Sequence, residues 1–376
     1  MYFIIIFAYL GLFIMGFVDN SRGAFLPSIQ THFNLDNKEA GFLFSLASLC
    51  SLLTTLTSPF WQKKLSLKTG LSFCILLIGI SSLTLGVSGY FHNPGLIFLS
   101  AVIFGLAVGG IGIILNQTID LYAPIPYKKQ IYAGLHTMYG LSSLLPPIII
   151  TYFHLSFISW FSFFGVISIL IFLFSLKLKI SAPLKEQEHT PFNREAFVLG
   201  LFIASYVAAE VVFSSRLVSL LTEMNVANPG YYLSLFFLSL MLGRLLFAIK
   251  KIHFKNVTVL KISLMGSFIF MILGLNIQIV FLSFTGFFMA PFFPVAMDTI
   301  TSRYEKTSQG LIRNIMLQIV ISLAFYHYLY GVLAQLGGHQ EAMLIVPILL
   351  IISLVVLVKK SNDLDREVTS GYNPNT

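Results

Sequence analysis

Apolar stretches of about twenty residues recur from one end of this chain to the other, and a stretch of that length spans a hydrocarbon core of about 30 Å as a helix. No water reaches that depth, so backbone N–H and C=O groups must be met within the protein, which leaves helices and closed barrels as the workable solutions. Barrel strands would alternate apolar and polar residues over about ten positions, and these stretches do not. A chain that is 56% hydrophobic and 10% charged, with a mean hydropathy of +0.86, has no soluble globular counterpart. The expected class is therefore an all-α membrane protein. Twelve spans are predicted, at 3–29, 38–60, 69–90, 94–122, 130–153, 156–178, 195–222, 230–249, 257–275, 277–301, 312–337 and 341–359. The first has no basic leader and continues to full length, so it reads as a span and not as a cleavable signal.

Charge between the spans is one-sided. Alternate connections hold Lys63, Lys64 and Lys68, then Lys128 and Lys129, then Lys177, Lys179, Lys185 and Arg194, then Lys250, Lys251 and Lys255, then Arg303 and Lys306, and finally Lys359, Lys360 and Arg366. The opposite connections hold almost none, Lys38 being the exception. By the positive-inside bias both termini are expected in the cytoplasm, with the chain in a plasma membrane, the bacterial inner membrane. The net charge of +8 is accounted for by this placement, which removes the reason to invoke nucleic acid. Cys50 and Cys74 fall inside spans and imply neither a disulfide framework nor a metal site. No Walker loop, nucleophile elbow or metal-ligand spacing is present, so neither an enzyme nor a cofactor is expected.

One longer polar stretch interrupts the pattern after the sixth span. It divides the chain into a six-helix bundle over 1–178, a linker over 179–194, a second six-helix bundle over 195–360 and a disordered tail over 361–376. The two bundles are expected to be pseudo-symmetric. Each half opens with a span containing Ser-Arg (Ser21-Arg22, Ser215-Arg216), carries a basic loop after its second span, and ends its fourth span with an acid (Asp120, Asp298). A weak repeat of this kind is what a transporter of two parallel halves shows. Gly105 and Gly109 have the G-x-x-x-G spacing of close helix pairs. Pro146-Pro147 and the pair Pro291, Pro294 free carbonyls that neighbouring helices must satisfy.

The ionic residues inside spans carry the functional argument. Each costs about 2.5–3.5 kcal/mol at the bilayer centre on insertion scales, so such groups face a cavity or a partner and mark transport pathways. Asp19, Asn20 and Arg22 lie in the first span and Glu210, Ser214 and Arg216 in the seventh, and both sets are expected to line one central cavity. Glu210 is the first choice for carrying a proton, with Asp19 second, because a partly desolvated carboxylate suits uptake and release; the bland alternative is a fixed ion pair with Arg22 or Arg216. Asp19 and Arg22, three apart on one helical face, could bind polar substrate groups or pair with Glu210 and Arg216 as a gate. Asn116 and Gln117 could recognise a sugar ring or merely join helices. His136, Tyr139, Gln318 and His327 complete the candidate binding set, although a lone histidine is more often a packing partner than a proton carrier. Asp120 and Asp298 are expected at an inner gate with Arg244 or the Lys128/Lys129 loop.

Several motifs then resemble the major facilitator superfamily, and within it the fucose/galactose/glucose:proton symporter family and its relatives. YLSLFFLSLMLGR (Tyr232 to Arg244) is similar in spacing to that family's YLSLYWGGAMIGR, GFFMAPFFP (Gly286 to Pro294) to its G-x-F-x-x-x-x-F-P, and Tyr206-Val-Ala-Ala-Glu210 to YVGAE. His136 to Gly140 with Pro147 resembles H-x-x-x-G-(x6)-P, and Lys63 to Gly70 resembles KKLSxKxG. The resemblance implies the twelve-helix major facilitator fold, alternating access, proton coupling and a sugar-like solute, moved by a monomer in the lipid bilayer. Two departures weaken the last step: the family's Asn-Asp in the first span is Arg22-Gly23 here, and its fourth-span glutamate aligns with Asn116. An exporter of drugs or metabolites, an organic-anion carrier using Arg22 and Arg216, and a non-transport receptor stand as alternatives. The predicted topology is checked by cysteine labelling of whole cells: a cysteine at Asn93 should react with an impermeant thiol reagent, and one at Lys64 should react only after permeabilisation.

Overall fold

The computed structural model describes residues 2–122, 128–177, 192–249, 254–304 and 308–364, and these are overwhelmingly helical. The first half comprises α1 (Tyr2–Phe33), α2 (Asn37–Leu56), the short α3 (Ser58–Gln62), α4 (Leu67–Phe91), α5 (Pro94–Tyr122), α6 (Lys128–Phe153) and α7 (Phe157–Ser175). The second comprises α8 (Arg194–Glu223), α9 (Pro229–Ile249), α10 (Asn256–Asn276), α11 (Val280–Met289), α12 (Phe292–Arg303), α13 (Ser308–Met343) and α14 (Ile345–Leu364). Eleven of the described helical stretches are long and apolar enough to cross a membrane, and a shorter apolar helix at Thr137–Phe153 lies within α6. Buried apolar side chains form two clusters, one drawn from residues 4–161 and one from 196–364.

Helix starts follow local chemistry. Asp36 and Glu39 form a reciprocal capping box on α2, Ser66 accepts from the Thr69 N–H at the start of α4, and Asn193 accepts from Ala196 at the start of α8. Reversals on one face are tight: Asn34, His92, His154, Asn225, Asn228 and Gly338 all adopt positive φ there. Asparagine and glycine tolerate that region best, and a single such residue ends a helix without a long loop. The basic residues Lys63, Lys64, Lys68, Arg194 and Arg303 lie at the opposite face, called here the basic face.

Two predicted boundaries change. The span expected at 277–301 is broken into α11 and α12 around Ala290-Pro291, because proline supplies no N–H to the preceding turn. The carbonyls freed at the break are met from neighbouring helices: Ser263 Oγ donates to Phe288 O at 2.6 Å and Tyr206 Oη to Met289 O at 2.6 Å. The boundary expected between 337 and 341 holds: α13 runs to a kink at Gly338 (φ 85°), and His339 opens a new turn whose N–H donates to the Glu223 carboxylate at 2.8 Å. The expected tail also begins later, since α14 continues through residues 361–364, its last turn held by Lys360 against Asp363 at 3.1 Å and Glu195 at 3.9 Å. The linker at 179–191 and the remainder of the tail lie outside the described residues.

The halves meet through α1 with α8, α2 with α13, and α6 with α9. Small residues let the backbones touch. A Cβ on Gly41 would stand 2.8 Å from Gly331 Cα, one on Gly23 would stand 3.2 Å from the Ser215 backbone, and one on Gly230 would stand 3.0 Å from Pro147 O. Asn37 ties α2 to α13 through Gln335 Oε1 at 3.0 Å and Ala334 O at 3.1 Å. Each of these contacts lies toward the face opposite the basic one, so the halves are sealed there. At Gly23, where the resembled family carries an acid, a Cβ would be met by the Ser215 backbone at 3.2 Å, so a side chain there requires α8 to give by a few tenths of an ångström. Within the first half Gly105 and Gly109 pack on the Ala47 and Ser51 carbonyls of α2, as the G-x-x-x-G spacing predicts.

Gly331→Leu should therefore pry α13 from α2. With Cys50 and Cys74 replaced by alanine and a reporter cysteine at Ser48, labelling by an impermeant reagent from the sealed face is expected to rise several-fold. An unchanged labelling rate would show that the glycine contact does not hold the seal.

Candidate functional site

Below the seal lies a cavity of about 260 Å³ between the two halves. Side chains from both opening helices reach it, as the charged spans predict: Asp19, Asn20 and Arg22 from α1, and Glu210, Ser214 and Ser215 from α8. Asp19 and Arg22 share a face because three residues make nearly one turn, and Glu210 and Ser214 share one by the same rule. Tyr139 of α6 and His327 of α13 also line it. The α1 backbone is held in place by Trp160 of α7, whose Nε1 donates to Ser21 Oγ at 2.9 Å while its ring stacks on Phe17 at 5.5 Å. Asn20 spends its amide hydrogens on Gly16 O at 2.7 Å and Ser143 Oγ at 2.9 Å, which leaves its oxygen for the cavity.

Glu210 takes a different partner from the two expected. Its Oε1 faces Arg244 Nη2 of α9 at 3.5 Å, and its Oε2 lies 2.5 Å from Tyr206 Oη one turn earlier on α8. Arg216 lies six residues further along, roughly 240° around the axis, so it points away from Glu210 and toward α2. There its Nη2 donates to Ala40 O at 3.1 Å, a contact between the halves, and its guanidinium lies 4.7 Å from the Phe44 ring centroid and 5.3 Å from that of Tyr330. Arg22 keeps Asp19 at 4.0 Å and is flanked by Phe44 at 5.1 Å and Phe104 at 4.6 Å. The symmetric four-charge network of Asp19, Arg22, Glu210 and Arg216 is thus replaced by two separate acid–base pairs, Asp19 with Arg22 and Glu210 with Arg244, and an arginine held by a carbonyl and two rings.

Other candidates are placed elsewhere. Gln318 donates to Ala196 O at 2.9 Å, packing α13 on α8 where Gly200 leaves room, and does not line the cavity. Gln117 reaches Gln62 of α3 at 3.4 Å, toward the basic face. Asp298 accepts from Asn256 Nδ2 at 3.1 Å, while Arg244, the partner expected for it, is engaged by Glu210. The side chains of Asn116, Asp120, Lys128, Lys129 and His136 lie outside the described residues.

Sequence reasoning missed the contribution of α2 and α5. Phe44, Ser48 and Ser51 of α2 and Phe104, Gly105 and Val108 of α5 line the cavity beside the charged helices. Three-residue spacing of Ser48 and Ser51 was the available signal, and it is weak in a chain whose spans hold so many buried serines. Tyr206 was quoted in a motif without a role, yet its hydroxyl touches both Glu210 and the break between α11 and α12. What this arrangement offers chemically is a small void with one acid–base pair on each side, carboxyl and guanidinium groups for polar contacts, and aromatic walls for apolar ones.

The comparisons with known proteins agree with this architecture. A family model described as Major Facilitator Superfamily matches residues 8–324. No curated protein matches at the level of sequence. Among solved structures the chain is similar to FucP in the outward conformation, at 15% identity and a TM-score of 0.63 over 95% of this chain and 98% of that one. It is also similar to the xylose transporter XylE from E. coli in an inward-open conformation, at 13% identity and a TM-score of 0.75 over 98% and 97%. A point mutant of the nucleoside transporter NupG is similar at 14% identity and a TM-score of 0.70 over 94% and 99%. At these identities the likeness speaks for the fold alone. With the family model covering most of its length, the chain belongs to the Major Facilitator Superfamily and is a membrane transporter, not an enzyme.

Proposed function

We propose that this transporter moves a small, sugar-like polar solute together with a proton by alternating access, as a monomer in the bacterial inner membrane. The basic face is cytoplasmic by the positive-inside bias, so the seal through α2 and α13 closes the outer side and the chain is in an inward-facing state. The fucose, xylose and nucleoside transporters that share the fold make a polar, hydroxylated solute the natural candidate, and the cavity's mix of carboxyl, amide, hydroxyl and aromatic groups suits one.

The observation that carries the proton assignment is the single hydrogen on Tyr206. Its hydroxyl stands 2.6 Å from Met289 O, which can only accept, and 2.5 Å from Glu210 Oε2. A hydroxyl has one hydrogen to give and two lone pairs. If it donates to the carbonyl, the Glu210 oxygen must bring its own hydrogen, which makes Glu210 the neutral acid with Oε2–H donating to Tyr206 and Oε1 accepting from Arg244. The 3.5 Å distance to Arg244 is longer than the 2.7–2.9 Å usual for a fully charged pair, which agrees with a neutral partner. When the proton leaves, Tyr206 turns its hydrogen to the carboxylate and Met289 O at the α11–α12 break loses its partner. Deprotonation is thereby felt at a helix joint, which is the coupling that symport needs. Asp19, held only loosely by Arg22, serves as the second titrating group.

The test begins with a ligand-stabilisation screen of sugars, organic acids and amphiphilic cations to find the solute. In proteoliposomes, Glu210→Gln should then abolish uphill accumulation driven by a pH gradient and retain exchange. Undiminished pH-driven uptake would reject Glu210 as the proton carrier. Tyr206→Phe should lower thermal stability by about 1 kcal/mol, the scale of one interhelical hydrogen bond in a membrane, and slow net uptake more than exchange. Equal slowing of both would separate Tyr206 from the coupling step.

A further inference from the structure

Three basic or titratable side chains from three helices crowd one aromatic ring. The guanidinium carbons of Arg22 and Arg216 stand 5.1 Å and 4.7 Å from the centroid of Phe44, and the His327 ring stands 5.2 Å from it. Arg22 is 8% exposed and Arg216 1%. A ring face returns roughly 2 kcal/mol to a desolvated cation, and two like charges at one ring repel, so stacking alone does not balance this cluster. Among the described residues, carboxylate compensation is thin. Asp19 comes only to 4.0 Å from Arg22, and Arg216 has a carbonyl and no acid. Arg216 Nε and His327 Nδ1 are buried with no hydrogen-bond partner among the described residues, at a place where leaving a polar atom unmet costs about 1–3 kcal/mol.

Glu210 does not supply the missing charge, being committed to Tyr206 and Arg244. Among the described residues, Arg22 lines the cavity and Arg216 and Arg244 stand directly behind its wall, on Phe44 and Glu210, so three arginines face two carboxyl groups, Asp19 and Glu210, one of them holding a proton under the reading proposed above. The excess is positive, it sits where Arg22 and His327 line the cavity, and it comes with donors that await an acceptor. A mobile acceptor meets all three conditions where a fixed residue does not, since it is present only when the site is loaded. Its remaining atoms would face Asn20, Ser48, Ser51 and Ser214, a set that suits hydroxyls, within a void smaller than the roughly 300–1,000 Å³ of pockets for drug-sized ligands.

We infer that the solute is a hydroxylated monocarboxylate, of the chemistry of a sugar acid, whose carboxylate docks at Arg22, Arg216 and His327 beside the Phe44 ring while its hydroxyls face α1, α2 and α8. The inference rests on the cavity being the transport site, and it narrows the solute from sugar-like to acidic. Its negative charge and the proton on Glu210 enter together and cancel, so the site carries the same net charge loaded and empty. Because Arg216 also bonds Ala40 across the halves, carboxylate binding acts on a contact of the outer seal.

The experiment uses the full-length purified chain in detergent and reads thermal unfolding against galacturonate, gluconate, the methyl ester of galacturonate, galactose and glucose. Galacturonate or gluconate should raise the midpoint in a saturable way, and the uncharged ester and the two sugars should not. Arg22→Gln and Arg216→Gln should each weaken the acid's apparent affinity at least about tenfold, the loss of one charge-assisted hydrogen bond. Should Arg216→Gln fail to fold, Arg216→Lys and the ester comparison on the unaltered protein carry the test. A shift by galactose or by the ester equal to that of the acid overturns the inference, and so does the absence of any shift by either acid at millimolar concentration. A sugar that shifts the midpoint and is accumulated with protons leaves the proton-coupled reading standing while the acidic solute falls. An acid that binds and is exchanged without regard to Glu210 does the reverse.

Discussion

A hydrocarbon interior donates and accepts no hydrogen bonds, so each polar group taken into it must be met by another part of the protein. The structure is organised by that demand. Serine and threonine hydroxyls bond back to carbonyls of their own helices, as Ser21 does to Phe17 O at 2.6 Å and Thr118 to Ile114 O at 2.8 Å. Where prolines break the span into α11 and α12, hydroxyls arrive from elsewhere, Ser263 from α10 and Tyr206 from α8. Sheltered ionic groups follow the same rule with stricter partners: Glu210 meets Arg244 and Tyr206, and Arg216 meets a carbonyl and two rings. A few buried atoms among the described residues lack a partner, and two of them, Arg216 Nε and His327 Nδ1, belong to side chains gathered at the Phe44 ring, which lines the cavity.

The second organising quantity is backbone separation. Transmembrane helices lack a hydrophobic drive to associate, and small residues take its place by allowing close van der Waals contact. Gly105 and Gly109 use it inside one half, where the contact is permanent. Gly23, Gly41, Gly230 and Gly331 use it between the halves, toward one face only. A seal made of glycine contacts and a few hydrogen bonds from Asn37 and Arg216 lies toward one face and includes no ion pair between the halves among the described residues, which fits a family built on alternating access.

Much of the fold was legible in the residues. Span number and order followed from hydropathy, helix starts from capping residues, and the Gly105/Gly109 contact from its spacing. The break at Gly338 falls in the gap expected between the spans at 312–337 and 341–359. A boundary failed at 277–301, where Pro291 and Pro294 signal freed carbonyls but do not say whether the span bends or splits into two helices. The candidate site was partly legible. Asp19, Asn20, Arg22, Tyr139, Glu210, Ser214 and His327 do gather at one cavity, because ionic and polar residues in a span have few other places to go. Gln318 did not join them, since an amide is equally well used against a helix carbonyl, and it found Ala196 O.

What the sequence determined by itself is the class of structure and the cost that function must answer: apolar spans oblige helices, one-sided lysines and arginines bias their orientation, and charges within spans demand company. What only the tertiary structure decided is whose company. Asp19 with Arg22 was readable because both lie on one helix within a turn. Glu210 with Arg244, Tyr206 with Met289 O, and Arg216 with Ala40 and Phe44 each join residues from different helices, and the choice among several possible partners depends on rotation and backbone distance of a few ångströms that no spacing along the chain encodes.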